Sequence, residues 1–197
     1  CATVLKEVKR LNKNNKGNTL LLSNILSQNE SNIELLLKNK ADINYPKNIP
    51  PIILATLKND LKMVKKLKEN GAYINIKDKY YKTAFITSVI NKNKEITQYL
   101  LDNNVEYNYT GGEGDYHPIN IALINKDIDL LNILLSKDIN LNQQNRFLET
   151  PAHILFKLLY NKPYKKISYE IRKKILENTH NLNKQNIKGN TILHYLF

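Results

Sequence analysis

The sequence predicts an all-α solenoid of short helical hairpins, on three observations. A polar anchor recurs at near-constant spacing, a second landmark keeps the same register, and apolar residues between them fall at helical intervals. The anchors are Thr19, Pro50, Thr83, His117, Thr150 and Thr191, spaced 31, 33, 34, 33 and 41 residues apart. The second landmark is an apolar residue followed by Asn: Ile43-Asn44, Ile74-Asn75, Tyr107-Asn108, Leu141-Asn142 and Leu182-Asn183. Anchor and Asn stand 25 residues apart in four units and 33 in the fifth, which therefore carries an insertion of eight. The 197 residues, 42% hydrophobic and 24% charged, suit one domain or a short array with a real core.

Taken in order, residues 2–12 read as one helix, either a cap or the tail of an earlier unit. Five units follow, at 15–44, 45–75, 76–108, 109–142 and 143–183, and a sixth begins at 184–197. First helices start at Leu20-Leu21-Leu22, Ile52-Ile53-Leu54-Ala55, Ile119-Asn120-Ile121-Ala122 and Ala152-His153-Ile154-Leu155. A polar break follows, such as Lys58-Asn59-Asp60 or Asn125-Lys126-Asp127. Second helices show as apolar stripes: Ile33, Leu36, Leu37; Met63, Val64, Leu67; Ile96, Leu100, Leu101; Leu130, Leu131, Leu134, Leu135; and Ile171, Ile175, Leu176. Helices this short are unstable alone in water. Each must bury its stripe against neighbours, at ~1.5–3 kcal/mol per buried Leu or Ile. Lys68 replaces a stripe Leu and predicts a wetter edge in the second unit. The insertion lies within about residues 160–169, with Pro163 as the break between helices. Thr191 to Phe197 supplies a first helix with no second, so the native chain is expected to continue or to be covered there.

The period, with the fragments Asn39-Lys40-Ala41-Asp42-Ile43-Asn44, Asn70-Gly71-Ala72-Tyr73-Ile74-Asn75, Thr150-Pro151-Ala152-His153 and Gly189-Asn190-Thr191-Ile192-Leu193-His194, resembles the ankyrin-repeat family over about residues 15–197. Thr at the anchor can cap the first helix, and Pro suits the first turn, where no N–H is needed. The resemblance implies that His153 and His194 bond loop backbone and do no chemistry. Gly71 can close a helix in the left-handed conformation. Asn44, Asn75, Asn108, Asn142 and Asn183 can satisfy backbone in the turn that follows. The finger-tip Gly survives only as Gly17 and Gly189; Asn48 and Asp115 tolerate positive φ there, whereas Tyr81 and Leu148 predict a change of turn type. Gly111-Gly112-Glu113-Gly114-Asp115 predicts a flexible fourth finger.

No constellation for catalysis emerges. His117, His153 and His194 sit at or beside repeat-motif positions and His180 in a turn, with no paired-His spacing for zinc. Gly111-Gly112-Glu113-Gly114 lacks the Gly-Lys-Ser/Thr ending of a phosphate loop. The acidic residues are scattered, and Cys1, the one cysteine, has no nearby base. The expectation is a non-enzyme with no metal and no cofactor.

The net charge of +12 raises the question of polyanions, yet only Arg10, Arg146 and Arg172 among 30 basic residues are Arg. Base readout and bidentate phosphate contacts lean on Arg. The Lys, Asn and Ile excess reads as a codon bias, and specific nucleic-acid binding is not expected. No apolar run is long enough to span a membrane. Cys1 either bears a lipid, as in a mature bacterial lipoprotein, or marks a trimmed end; helix-like residues directly after it favour the trimmed end. A cytoplasmic location is expected, that of the host if the protein is an effector.

The ankyrin resemblance implies a partner surface on finger tips and the concave inner helix face. Its positions here are Lys47 and Ile49; Lys79, Tyr80 and Lys82; Glu113 and Tyr116; Arg146, Phe147 and Glu149; with Lys58, Asn91, Asn125 and Lys157 just past the first helices. Seven of the 12 Tyr fall in or beside the second to fourth fingers, and exposed Tyr anchors interfaces. The lysines Lys62, Lys65 and Lys66, and Arg172, Lys173 and Lys174, read as solvated outer faces. The expected protein is a monomeric array binding one protein partner, akin to ankyrin proteins of large DNA viruses or of host-associated bacteria that act on host proteins. The alternatives are polyanion binding through the Lys-rich surface and a targeting arm for a larger enzyme.

Overall fold

The computed structural model describes residues 19–108, 117–160 and 167–195. It forms two compact units, Cys1–Val105 and Glu106–Phe197. Among the described residues all regular structure is helical. The 2–12 helix, Gly17, the Gly111–Asp115 finger with Glu113 and Tyr116, and Pro163 lie outside the described residues.

The first unit holds three hairpins: α1 (Leu20–Leu26) with α2 (Glu30–Lys38), α3 (Pro51–Leu57) with α4 (Leu61–Glu69), and α5 (Ala84–Ile90) with α6 (Lys94–Asp102). First helices pack on one another as an inner row, α1 on α3 and α3 on α5, while α4 packs on α6 in the outer row. Ile33, Ile52, Ile53, Leu67, Phe85, Ile86, Ile96 and Leu100 are fully or almost fully buried between the rows. The second unit repeats the plan with α7 (Pro118–Asn125), α8 (Ile128–Leu135), α9 (Pro151–Tyr160), α10 (Tyr169–Glu177) and a 3-10 turn (Ile192–Tyr195). There α7 packs on α9, α8 on α10, and the 3-10 turn on α9. The sixth unit thus shows a short 3-10 turn where a first helix was expected, and α9 runs to Tyr160, the first residue of the inserted region.

The caps explain the anchors. Thr19 Oγ1 accepts from the Leu22 N–H at 3.1 Å and Thr83 Oγ1 from Ile86 at 3.2 Å. Pro51 and Pro118 occupy first helical positions, where Pro50 and His117 supply no side-chain cap. The polar break between helices is one compact device. Gln28, Asn59, Lys92 and Lys126 take positive φ and end the first helix. The next residue, Asn29, Asp60, Asn93 or Asp127, then caps the second helix with its side chain. Lys40, Gly71 and Asn104 close second helices in the same left-handed conformation. Lys68 is half-buried, like Leu37 at the matching position.

The repeat-ending Asn residues reach further than their own turn. Asn44 Oδ1 accepts from the Tyr73 N–H at 2.8 Å, and Asn108 Oδ1 from the Asn140 N–H at 2.8 Å. Asn142 Oδ1 accepts from the His180 N–H at 2.7 Å while its Nδ2 donates to the Asn178 carbonyl at 3.2 Å. Asn44 thus ties the first repeat to the second, and Asn142 the fourth to the fifth.

The third and fifth fingers correct the expectation of a changed turn. Tyr81 takes φ 63° and Leu148 φ 57°, the same region as Gly189 at 76°. The cause is an Asp or Asn at the start of each finger. Asp78 Oδ1 accepts from the Tyr80 and Lys82 N–H groups, both at 2.8 Å. Asn145 does this for Phe147 and Glu149, and Asn186 for Lys188 and Asn190. Backbone pairs Asp78–Lys82, Asn145–Glu149 and Asn186–Asn190 complete three like hairpins. These bonds outweigh a left-handed penalty of about 1 kcal/mol. Among the described fingers the one that departs is the second, where Tyr45 stands at the Asp/Asn position, the Tyr45-Pro46 bond is cis, and Asn48 does not take a positive φ.

Candidate functional site

In the first unit the second and third fingers stand over the ends of α3 and α5 and enclose an open groove of about 400 Å³. Ile53, Leu57, Thr87 and Ile90 form its floor, Ile49 and Tyr80 its walls, with Lys79, Lys82 and Asn91 at its edge. The structure therefore gathers five of the expected contact residues, Ile49, Lys79, Tyr80, Lys82 and Asn91. Lys47 and Lys58 are exposed beside the groove and do not line it. The Lys79 ammonium sits 4.7 Å from the Tyr80 ring centroid, which holds a cation and an aromatic face together at the mouth.

Leu57 and Ile90 were not singled out by sequence reasoning. Both are the last residue of an inner helix, 49% and 37% exposed, and Leu26 ends α1 in the same way at 51%. Ile124, in the last turn of α7, is 58% exposed. An aliphatic residue just before the polar break in these four first helices was the available signal; none of the four is among the buried core residues.

In the second unit, Arg146 and Phe147 are exposed on the fifth finger, the guanidinium 4.8 Å from the ring centroid. Phe147 also anchors the next finger, its carbonyl accepting from the Ile187 N–H at 3.0 Å. Glu149 is buried, its carboxylate taking Lys157 Nζ at 3.0 Å and Asn145 Nδ2 at 3.3 Å. Glu149 and Lys157 thus hold each other and brace the finger. Asn125 is half-buried at the end of α7. A further groove of about 690 Å³, lined by Phe156, Tyr160, Tyr169, Leu176 and Tyr195, had no counterpart in the sequence reading.

His153 and His194 do structural work. His153 Nδ1 accepts from the Thr150 N–H at 3.2 Å, and Nε2 meets the Lys184 carbonyl at 2.9 Å, pinning one finger to the next. Burial lowers its pKa against the pull of that carbonyl. His194 Nδ1 accepts from the Thr191 N–H at 3.1 Å, as the motif implied. His117 is 3% exposed and neither ring nitrogen has a well-formed partner. Burial pushes its pKa down to about 4, opposed only by the Asn140 backbone. Among the described residues no cluster of His, Cys, Asp or Glu is placed to hold a metal, and no helix is long and apolar enough to cross a membrane.

Two lysines of the outer row are charge-paired across repeats. Lys62 lies 2.8 Å from Glu30 and Lys66 2.7 Å from Glu34, each pair bridging adjacent repeats. The first of these lowers the Glu30 pKa and raises that of Lys62. Lys65 lies over the Tyr99 ring at 5.5 Å, Arg172 Nε donates to the Ile167 carbonyl at 2.9 Å, and Lys173 approaches Glu177 at 3.8 Å.

Residues 52–145 match the family model for ankyrin repeats, in three copies. Those residues are therefore similar to ankyrin repeats, and the described hairpins on either side follow the same plan. It is also 29% identical, over 151 residues, to an ankyrin repeat protein of Acanthamoeba polyphaga mimivirus. That match covers 76% of this chain and 20% of the relative, so the chain spans about a fifth of the relative's length. The ankyrin fold is a non-enzymatic one, and its repeats are in general protein–protein interaction modules.

Proposed function

We propose that this ankyrin array is a non-catalytic module that binds one partner protein through its finger tips and inner helices, with the groove of the first unit as the principal contact. The observation that carries this reading is the convergence of Ile49, Tyr80, Leu57 and Ile90 on one exposed apolar groove edged by lysines. Exposed apolar surface with no role in the core marks interaction sites. Arg146 and Phe147 offer a second, separate contact in the second unit. In this reading the partner is a host protein met in the host cytoplasm, a step suggested only by the viral source of the relative. The paired lysines of the outer row speak against polyanion binding there, since an ammonium already facing a carboxylate gains little from a phosphate.

A pull-down from host-cell lysate with wild type, Tyr80→Ala and Phe147→Ala tests the reading. A partner recovered by wild type and depleted by Tyr80→Ala is expected. Equal recovery by all three proteins would remove the proposed surface.

A further inference from the structure

We infer that the groove of the first unit takes an acidic peptide segment carrying a bulky aliphatic or aromatic side chain. This rests on the interaction reading above and names the chemistry of the partner.

The apolar half of the argument is the row of helix-ending residues. Leu26, Leu57 and Ile90 recur at the repeat spacing, and all three are more than a third exposed. Leu57 and Ile90 floor a groove whose walls are Ile49 and Tyr80. Such a slot buries one large side chain of a segment laid across the fingers, and apolar anchors of this kind supply most of the affinity at an interface.

The charge half is an asymmetry between the two rows. Among the described residues of the first unit, Glu30, Glu34, Glu69, Glu95 and Asp102 all lie on second helices. Asp42 and Asp60 are engaged in turns, bonding the Asn44 and Met63 N–H groups at 3.1 and 2.9 Å. The groove side has one carboxylate, Asp78, whose Oδ1 takes the Tyr80 and Lys82 N–H groups of its own finger. Around it stand Lys47, Lys58 and Lys79, exposed and without a carboxylate partner among the described residues. Ammonium groups bordering an apolar slot attract carboxylates and repel basic segments, which sets partner choice and on-rate. A nucleic acid would meet these charges but, among the described lining residues, a single aromatic face at Tyr80, the other apolar side chains being aliphatic where successive stacking platforms are needed.

The test pans phage-displayed random peptides of about twelve residues, long enough to cross two fingers, on the whole chain and on two variants. Leu57→Glu/Ile90→Glu closes the slot; Lys58→Glu/Lys79→Glu reverses the border at exposed positions where folding is not at stake, and helical circular dichroism verifies both. The wild type is expected to enrich peptides of net negative charge with a large apolar residue. Their affinity falls at least about tenfold on each variant, and the border variant enriches basic peptides instead. Neutral or basic peptides on the wild type, lost when the slot is closed, would overturn the acidic assignment and leave the groove reading intact. Acidic peptides with no apolar preference, displaced by duplex DNA, would overturn it in favour of a polyanion surface. No enrichment, or enrichment equal on all three proteins, would overturn both readings.

Discussion

The carboxamide oxygen of Asn44 lies 2.8 Å from the backbone nitrogen of Tyr73, a residue of the following repeat. One short side chain at a fixed place in the period therefore joins two hairpins, and Asn108 and Asn142 repeat the contact in the second unit. Stability of the stack resides partly in these joints, beyond the apolar area shared between helices.

Asn44→Ala is expected to cost about 0.5–1.5 kcal/mol, the usual net worth of such a bond. Asn142→Ala should cost more, because its amide also donates to the Asn178 carbonyl and contacts His180 Nδ1 at 2.6 Å. Asn178→Ala, which removes a bond only to its own helix at the Lys174 carbonyl, is the control. Urea titrations of the three variants check this order; a control as damaging as Asn142→Ala would show that the joints are ornamental.

The finger tips predict opposite signs for two exchanges. Tyr81→Gly and Leu148→Gly relieve positive φ at side chains that are 56% and 46% exposed, and should stabilise by up to about 1 kcal/mol. Gly189→Ala should destabilise by about 1 kcal/mol through backbone strain alone, because a Cβ there meets no atom within 4 Å. Thermal melts read all three.

Acid should loosen the second unit. His117 binds its proton only near pH 4 when folded and near its ordinary value of 6.5 when unfolded. The unfolded chain holds more protons in that window, so the contribution is complete above pH 6.5 and disappears as pH falls toward 4. The loss is about 3 kcal/mol at most. His117→Thr supplies a hydroxyl cap and removes the buried imidazole, so its denaturation midpoint should fall less between about pH 7 and pH 5 than that of wild type. An unchanged pH slope would assign the acid response elsewhere.

The fold was legible because its two landmarks are side chains with one recurrent duty each. Thr19 and Thr83 cap helices, and Asn44 and Asn142 bridge repeats, so chemistry holds the spacing that the eye finds. The finger geometry was misread at Tyr81 and Leu148 because the deciding residue stands elsewhere: Asp78, Asn145 and Asn186 each precede their anchor Thr by five residues and hold the turn whatever side chain sits at its tip. The contact surface was half legible. Ile49, Lys79 and Tyr80 followed from the family pattern, whereas Leu57 and Ile90 hid among core aliphatics, since a helical stripe does not reveal which of its members face outward. Glu149 looked free for a partner, and only packing shows it beneath the finger with Lys157.

Duplex DNA provides a check on the basic composition. With outer-row lysines already facing Glu30 and Glu34, binding at about 100 mM salt should be undetectable by anisotropy. A tight complex whose affinity falls steeply with salt would reopen the polyanion reading.

Hydrogen–deuterium exchange of the chain, alone and with the partner protein that wild type recovers, tests the groove most directly. Slower exchange is predicted at residues 79–82 of the third finger and 87–91 at the end of α5, with α4 unchanged on its outward face. Slowing confined to α4 and α6, or none anywhere in the first unit, would contradict the proposal that fingers and inner helices hold the partner.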